Sequence, residues 1–518
     1  MAAHVGGPLS FISRNQRALA LVLSGGVLVL AAFAPLVTLL GELIRDAGAL
    51  EPWAAAQSWR LFGSSLLLAA AVMIVAMLLG VPLGVLFGRS DVIGRRSAWL
   101  VHAFPMFLPP FIPALGWFHL LGARAAWLFN AGGLVFVLGL TLSPIVSSLV
   151  ALGVMNVDPS LEEVARTSAR PFRVATRILL PCAAHSIALA GIVVFALAFS
   201  EVGVPMFLRV DAFSAAVFAR VGGVSYAPGE AFALAFPVLL AALALLAAER
   251  SKLAGRSYAA FGLRSSTLRP LELGTWRWPL TIGCWIVAAL SAAPLSALGA
   301  RAASAGGFAV VLAWAGRAPL NGVLAATAAA SVIVATGLIV GHAAARGDRA
   351  AKWLDALVTL AFLTPACVLG AGLVSVWNRP STQFVYSTFA IIVLGFVARY
   401  AVLGVRVVAS VVAQMPVELE RAAAMSGAGY FRTLGRIVAP LGARGIALAW
   451  FVALVFCLRD FETVALFYPP GLEPLTVRIF TLEANGPEAV VAALALLHTA
   501  LTASVLALAG FWLRRTRA

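Results

Sequence analysis

Two acids stand in otherwise apolar stretches, Glu201 and Asp460, and each lies 15 positions after the start of its stretch, at Ser186 and Gly445. An ionisable group in hydrocarbon is costly and ordinarily faces a water-filled path or a partner. At ~1.5 Å rise per residue both acids would sit about 22 Å along a helix, at one depth towards the outer side. Acids so matched would line a path and favour a cation over an anion, and hard carboxylate oxygens suit a hard ion such as ferric iron. Arg459 and Glu462 flank Asp460, so ion-paired helix anchors near the interface are the competing reading. Val202-Gly203-Val204-Pro205 after Glu201 interrupts a helix and is tolerable only against protein or water.

Other chemistry lacks its residues. A phosphate cradle needs Gly-Lys-Ser/Thr, and the two lysines, Lys252 and Lys352, follow Ser and Ala. No HExxH or GxSxG occurs, and His102, His119, His185, His342 and His498 are scattered, so no catalytic residue, metal site or cofactor is expected and the histidines receive no role. Cys182, Cys284, Cys367 and Cys457 have no CxxC spacing and read as small apolar residues.

The elements that must position the acids are preceded by a short basic stretch that occurs twice, at Asp158 to Pro181 and Pro416 to Pro440. In the first copy Ser160-Leu161-Glu162-Glu163 has capping-box form, Glu162 and Arg166 form an i,i+4 pair, and Pro171 suits the first turn of a second short helix. In the second copy Gly427 and Gly429 can take the positive φ that ends a helix before Phe431-Arg432 opens the next. Phe172, Arg173, Arg177, Ile178 and Pro181 recur as Phe431, Arg432, Arg436, Ile437 and Pro440 at a constant shift of 259 positions. Each copy reads helix, turn, helix. Simple charged anchors of membrane helices would explain the arginines but not the repeated aromatic, turn and proline.

The class follows from composition: 518 residues, 62% hydrophobic and 11% charged, describe an all-α polytopic membrane protein. A net charge of +16 is spread thinly between apolar runs, with no basic patch interleaved with aromatics, so nucleic acid is not an expected partner and membrane lipid is. Runs long enough to span ~30 Å of hydrocarbon fall near 19–40, 64–87, 99–121, 133–155, 186–208 and 231–248, then 279–299, 320–344, 354–377, 384–408, 445–467 and 489–512. That makes about twelve transmembrane helices. The first run lacks a cleavage site and is expected to be retained. Roughly 25 of the Lys and Arg fall on the side of the N-terminus and about 9 opposite, which predicts both termini and both basic loops in the cytoplasm.

The halves repeat elsewhere too. Gly80, Gly84, Arg89 and Asp91 recur as Gly337, Gly341, Arg346 and Asp348 at a shift of 257, and Pro109-Pro110 and Thr364-Pro365 both put helix breakers mid-membrane. An even number of spans per half predicts two parallel six-helix repeats, 1–248 and 279–518, joined by a basic linker, 249–278.

The paired loops resemble the EAA loops of binding-protein-dependent ABC import permeases, Glu-Ala-Ala, three residues, Gly, nine residues, Ile, one residue, Leu-Pro; a single chain with two such loops is similar to the ferric-iron and thiamine uptake group. Glu163-Val164-Ala165 stands for the acidic triplet in the first copy, with the glycine replaced around Ser168; Glu420-Arg421-Ala422-Ala423, Gly427 and Pro440 stand in the second. The resemblance implies that Glu162, Glu163, Ala165, Ser168, Arg173, Arg177 and Pro181, with Glu420, Ala422, Ala423, Gly427, Arg432, Arg436 and Pro440, form coupling helices that dock on two copies of a cytoplasmic ABC ATPase. It implies a periplasmic substrate-binding protein, a place in the bacterial inner membrane, and hydrolysis of ATP on the separate subunit, so that the chain itself is no enzyme. Ferric iron is the expected cargo, with thiamine, phosphonate or another small solute as alternatives; a gradient-driven secondary transporter, with the two acids as ion sites, is the alternative class.

Overall fold

The computed structural model describes residues 8–45, 48, 50–222, 229–230, 232–237, 240, 270–304 and 306–515. Most of the expected span 231–248, and the expected linker up to residue 269, lie outside the described residues. The chain is an all-α polytopic membrane protein; among the described residues no strand forms, only the isolated bridge Ser90 to Leu271.

Among the described residues seven helices are long and apolar enough to cross a membrane, and four bent pairs raise the count to as many as eleven. In chain order they are α1 (Asn15–Arg45), α2 (Ala56–Arg89), the pair α3 and α4 (Arg95–Phe107, Phe111–Leu128) and α5 (Ala131–Met155). The first basic loop is α6 (Pro159–Ser168), followed by the pair α7 and α8 (Pro171–Cys182, Ala184–Ser200). The second half runs α9 (Gly274–Ser304), α10 (Ala318–Ala345), the pair α11 and α12 (Arg349–Leu363, Ala366–Trp377) and α13 (Phe389–Ala413). Its basic loop is α14 (Val417–Met425), followed by the pair α15 and α16 (Tyr430–Leu441, Ala443–Arg459), and α17 (Glu488–Arg515) closes the order.

The breakers act where the sequence places them. Pro109-Pro110 bends α3 from α4 by 108°, and Thr364-Pro365 bends α11 from α12 by 111°. Proline removes an amide and clashes with the preceding turn, so neither span continues straight. Two other expected spans need correction. The runs 186–208 and 445–467 are not continuous helices: α8 stops at Ser200 and α16 at Arg459, and the following acids have extended backbone.

The repeated glycines are contact points. A Cβ on Gly80 would lie 2.5 Å from Val146 Cβ and one on Gly84 2.6 Å from Val150 Cβ, so α2 and α5 touch through the glycine face. In the second half Gly337 and Gly341 bring α10 equally close to Gly404 and Val405 of α13. Close backbone approach of this kind is how helices associate in lipid, where water supplies no drive.

The halves are interleaved. Helix α1 packs on α10, α12 and α13 of the second half, while α9 packs on α3 and α4 of the first. Pro35 of α1 lies against Gly372, where a Cβ would be 2.7 Å from the Pro35 carbonyl oxygen; Pro294 of α9 lies against Gly116, at 2.4 Å from its carbonyl oxygen. Matching ion pairs fix the loop-side ends of both swapped helices: Arg17 to Asp348 at 2.8 Å and Arg277 to Asp91 at 3.5 Å.

Candidate functional site

Two constructions stand out, the basic loops and a cavity between the halves. Each loop is helix, turn, helix, as its sequence predicts, with different details. Ser160 and Glu163 do not close a capping box; Asp158 Oδ1 instead accepts the Ser160 amide at 2.9 Å and its hydroxyl at 2.7 Å, because Pro159 opens the helix and leaves Asp158 at the N-cap. In the second loop Gly427 takes φ +78°, but Gly429 is extended (φ −73°, ψ 168°); there the missing side chain makes room for Gln16 of α1, whose Oε1 would be 2.6 Å from a Cβ. The second arm of each loop contains one π turn, Ala175–Leu179 and Leu434–Val438, at equivalent positions.

Two of the loop glutamates, Glu162 and Glu420, turn inward, while Glu163 and Glu418 are exposed. Glu162 is fully buried, 3.0 Å from the Arg89 guanidinium and bonded to Arg166 of its own helix. Glu420 accepts from Arg346 at 2.6 Å and meets His342 Nε2 at 3.0 Å. Since Arg89 and Arg346 are repeat equivalents, so are Glu162 and Glu420, which leaves Glu163 level with Arg421; both of these are exposed. His342 thereby gains a role that its isolation in sequence hid. Burial works against the charge on Glu420, but the hydrogen bonds from His342 and Arg346 outweigh it and hold its carboxyl below the ordinary range.

What the loops present outward is basic and apolar. Arg173, Arg177, Pro181, Arg432, Arg436, Pro440 and Ala422 are exposed, whereas Ala423 is buried; Ala165 and Ser168 stand on α6. Phe172 is 78% exposed and Met425 87%, with Leu161, Val164, Leu419 and Phe431 exposed beside them. Exposed apolar side chains on two equivalent loops form a patch of the kind that marks an interaction surface.

The acids meet at the cavity, of about 40 Å³, lined by Glu201, Asp460, Glu462, Arg399, Arg459 and Tyr400 together with Pro109, Pro110 and Phe111. A space of this size has room for only a few waters. Glu201 and Asp460 occupy the same turn after α8 and α16. Glu201 Oε1 accepts the Val204 amide at 3.2 Å, and Asp460 Oδ1 accepts the Thr463 amide at 2.9 Å. Ser214 and Thr476 hydroxyls donate to the backbone carbonyls of the two acids, at 2.5 and 2.9 Å. Glu462 crosses between the halves and accepts the Val202 amide at 2.8 Å.

The arginines cover backbone that the helix breaks set free. Arg399 of α13 donates to the Phe362 and Thr364 carbonyls beside the second break, and Arg459 donates to the Met106 carbonyl before the first. Arg399 also lies over the Phe362 ring and Arg459 over Phe456, at 5.6 and 5.3 Å from the centroids. The need for cover was legible from the prolines; Arg399 was not singled out, although an arginine in an apolar run is itself a signal. At the positions equivalent to Arg399, Arg459 and Glu462 the first half has Leu142, Ser200 and Gly203, so the cavity's extra charge comes from one repeat. Of the cysteines, Cys284, Cys367 and Cys457 are buried and Cys182 exposed; among the described residues no group of His, Cys, Asp and Glu could hold a metal ion.

No protein-family model matches the chain. It is similar to the molybdate/tungstate transport system permease protein WtpB of Pyrococcus furiosus, 34% identical over 141 residues, which are 27% of this chain and 56% of that protein. The proteins of the same name from Thermococcus kodakarensis and Pyrococcus abyssi are 34% and 33% identical over equal spans. The chain thus spans about half the length of the curated relatives it matches.

Proposed function

We propose that this chain is the permease of an ATP-driven ABC importer, receiving substrate from a periplasmic binding protein and docking two copies of a cytoplasmic ATPase, one on each basic loop. The observation that carries this reading is the loop itself, built twice, with its glutamate turned inward to the span ends and an exposed basic and apolar face turned out. The similarity to permeases named for molybdate/tungstate transport supports it. Hydrolysis belongs to the partner, the chain crosses the inner membrane many times, and both termini lie in the cytoplasm with the loops. A gradient-driven transporter has no use for two such docking faces.

The cargo is a small ion. Ferric iron is the reading carried by Glu201, Asp460 and Glu462. A second reading, an oxyanion, is favoured by Arg399 and Arg459 at the same cavity and by the relatives' names. The permease, reconstituted in liposomes with the ATPase and binding protein encoded beside it, should accumulate radiolabelled ferric ion only when ATP is supplied. Accumulation of labelled molybdate instead would move the cargo to the second reading, and ATP-independent, gradient-driven accumulation by the chain alone would overturn the proposal.

A further inference from the structure

The repeated Arg at the end of α2 and α10 and the repeated Glu of the loops meet as one device in each half. Arg89 Nε donates to the Val154 carbonyl at 3.2 Å and its Nη2 to Val157 at 3.4 Å, while the guanidinium stands 3.0 Å from Glu162. Arg346 likewise donates to the Met415 carbonyl at 3.2 Å and to Glu420 at 2.6 Å. One guanidinium therefore joins three elements: the end of α2 or α10, the end of α5 or α13, and the first helix of the loop. The two long helices in each junction are already locked together by their glycine contacts. The loop's second arm is joined differently, through bends of 69° at Ala183 and 84° at Gly442, to the helices that end at Glu201 and Asp460.

We infer that Arg89 and Arg346 are positioning residues that clamp each coupling loop to a rigid span pair, so that displacement of the loop moves that pair and is not absorbed by the loop alone. This rests on the reading of the loops as ATPase docks. The two clamps share Arg and Glu and differ in the third group, Arg166 in the first half and His342 in the second, whose equivalents are Ala424 and Val85. The shared pair is thus the working part.

The test uses the reconstituted permease with its ATPase, comparing wild type with Arg89→Ala/Arg346→Ala and with Arg89→Lys/Arg346→Lys. Uptake per ATP hydrolysed should fall about tenfold in the Ala variant while hydrolysis persists, a size within the range of coupling free energies, and the Lys variant should recover part of it. In the permease alone, amide exchange over 160–168 and 417–425 should accelerate in the Ala variant. If the Ala variant fails to insert, the Lys variant carries both readings, since an ammonium reaches the carboxylate but not all of the carbonyls. Unchanged uptake per ATP in an assembled variant, or loss of uptake with loop exchange unaltered, would overturn the clamp. Wild-type permease that shows no ATP-driven uptake would overturn the proposed function instead, and the exchange measurement would still judge the clamp.

Discussion

Glu420 shows how far a single residue's place can depart from what its motif suggests. It is acidic, lies in a basic loop, and stands where a docking contact is expected, yet Arg346 and His342 hold it against the span ends. Removing one partner of a buried pair leaves an uncompensated charge, costing ~3–5 kcal/mol, so Glu162→Ala should lower the unfolding temperature of the solubilised permease more than Glu163→Ala, which removes an exposed side chain. The sign of the pH effect follows from the lowered pKa of Glu420. Its stabilisation is complete above the ordinary value of 4.5 and is lost as pH falls through the lower folded value. Amide protection over 417–425 should therefore hold at neutral and mildly acidic pH and fall only below 4.5, and Glu420→Gln should flatten that dependence. An unchanged profile in Glu420→Gln would show that another group titrates. None of this pairing was legible beforehand, because Arg89 and Glu162 stand 73 positions apart within one half and only the fold brings them together.

At the scale of elements the sequence was read well wherever covalent geometry decides. Pro109-Pro110 and Thr364-Pro365 break their spans, Pro171 opens a short helix, and Gly427 ends one, because each residue restricts or frees its own backbone. It was read poorly where neighbours decide. The stop at Ser200 was announced by Gly203 and Pro205 beyond Glu201, but the stop at Arg459 carries no such breaker; both turns are held by side-chain caps from Glu201 and Asp460 and by bonds from other elements. The repeated glycines were visible as a repeat, but their purpose, contact between α2 and α5 and between α10 and α13, needed the packing. Gly341→Val should force these backbones apart, since even a Cβ there would meet the Val405 carbonyl oxygen at 2.5 Å. A loss of ~1–3 kcal/mol is expected for overpacking, read as a lower unfolding temperature; Gly435→Val, at an exposed glycine with open space around its Cβ, is the control.

At the scale of the molecule, two repeats exchange their first helices and close on a cavity to which each supplies a matched acid. Glu201→Gln with Asp460→Asn keeps an oxygen for the Val204 and Thr463 amides, so the turns should survive and protein yield should hold. Uptake of a cationic cargo should drop while stimulation of the ATPase by loaded binding protein persists; normal uptake would mean that neither acid's charge acts on passage. The class and the duplication were legible because composition and spacing carry them, whereas the exchange of α1 and α9 was not, since nothing local in Pro35 or Pro294 says which half it will touch.

The central claim is that two equivalent loops each hold one ATPase. The most direct measurement is the native mass of the complex purified in lipid nanodiscs after co-expression with the neighbouring ATPase. The account predicts one permease chain with two ATPase chains, and loss of both when Arg173 and Arg432 are changed to Glu. A permease that retains one ATPase at most, or whose two ATPases survive that double reversal, would contradict it.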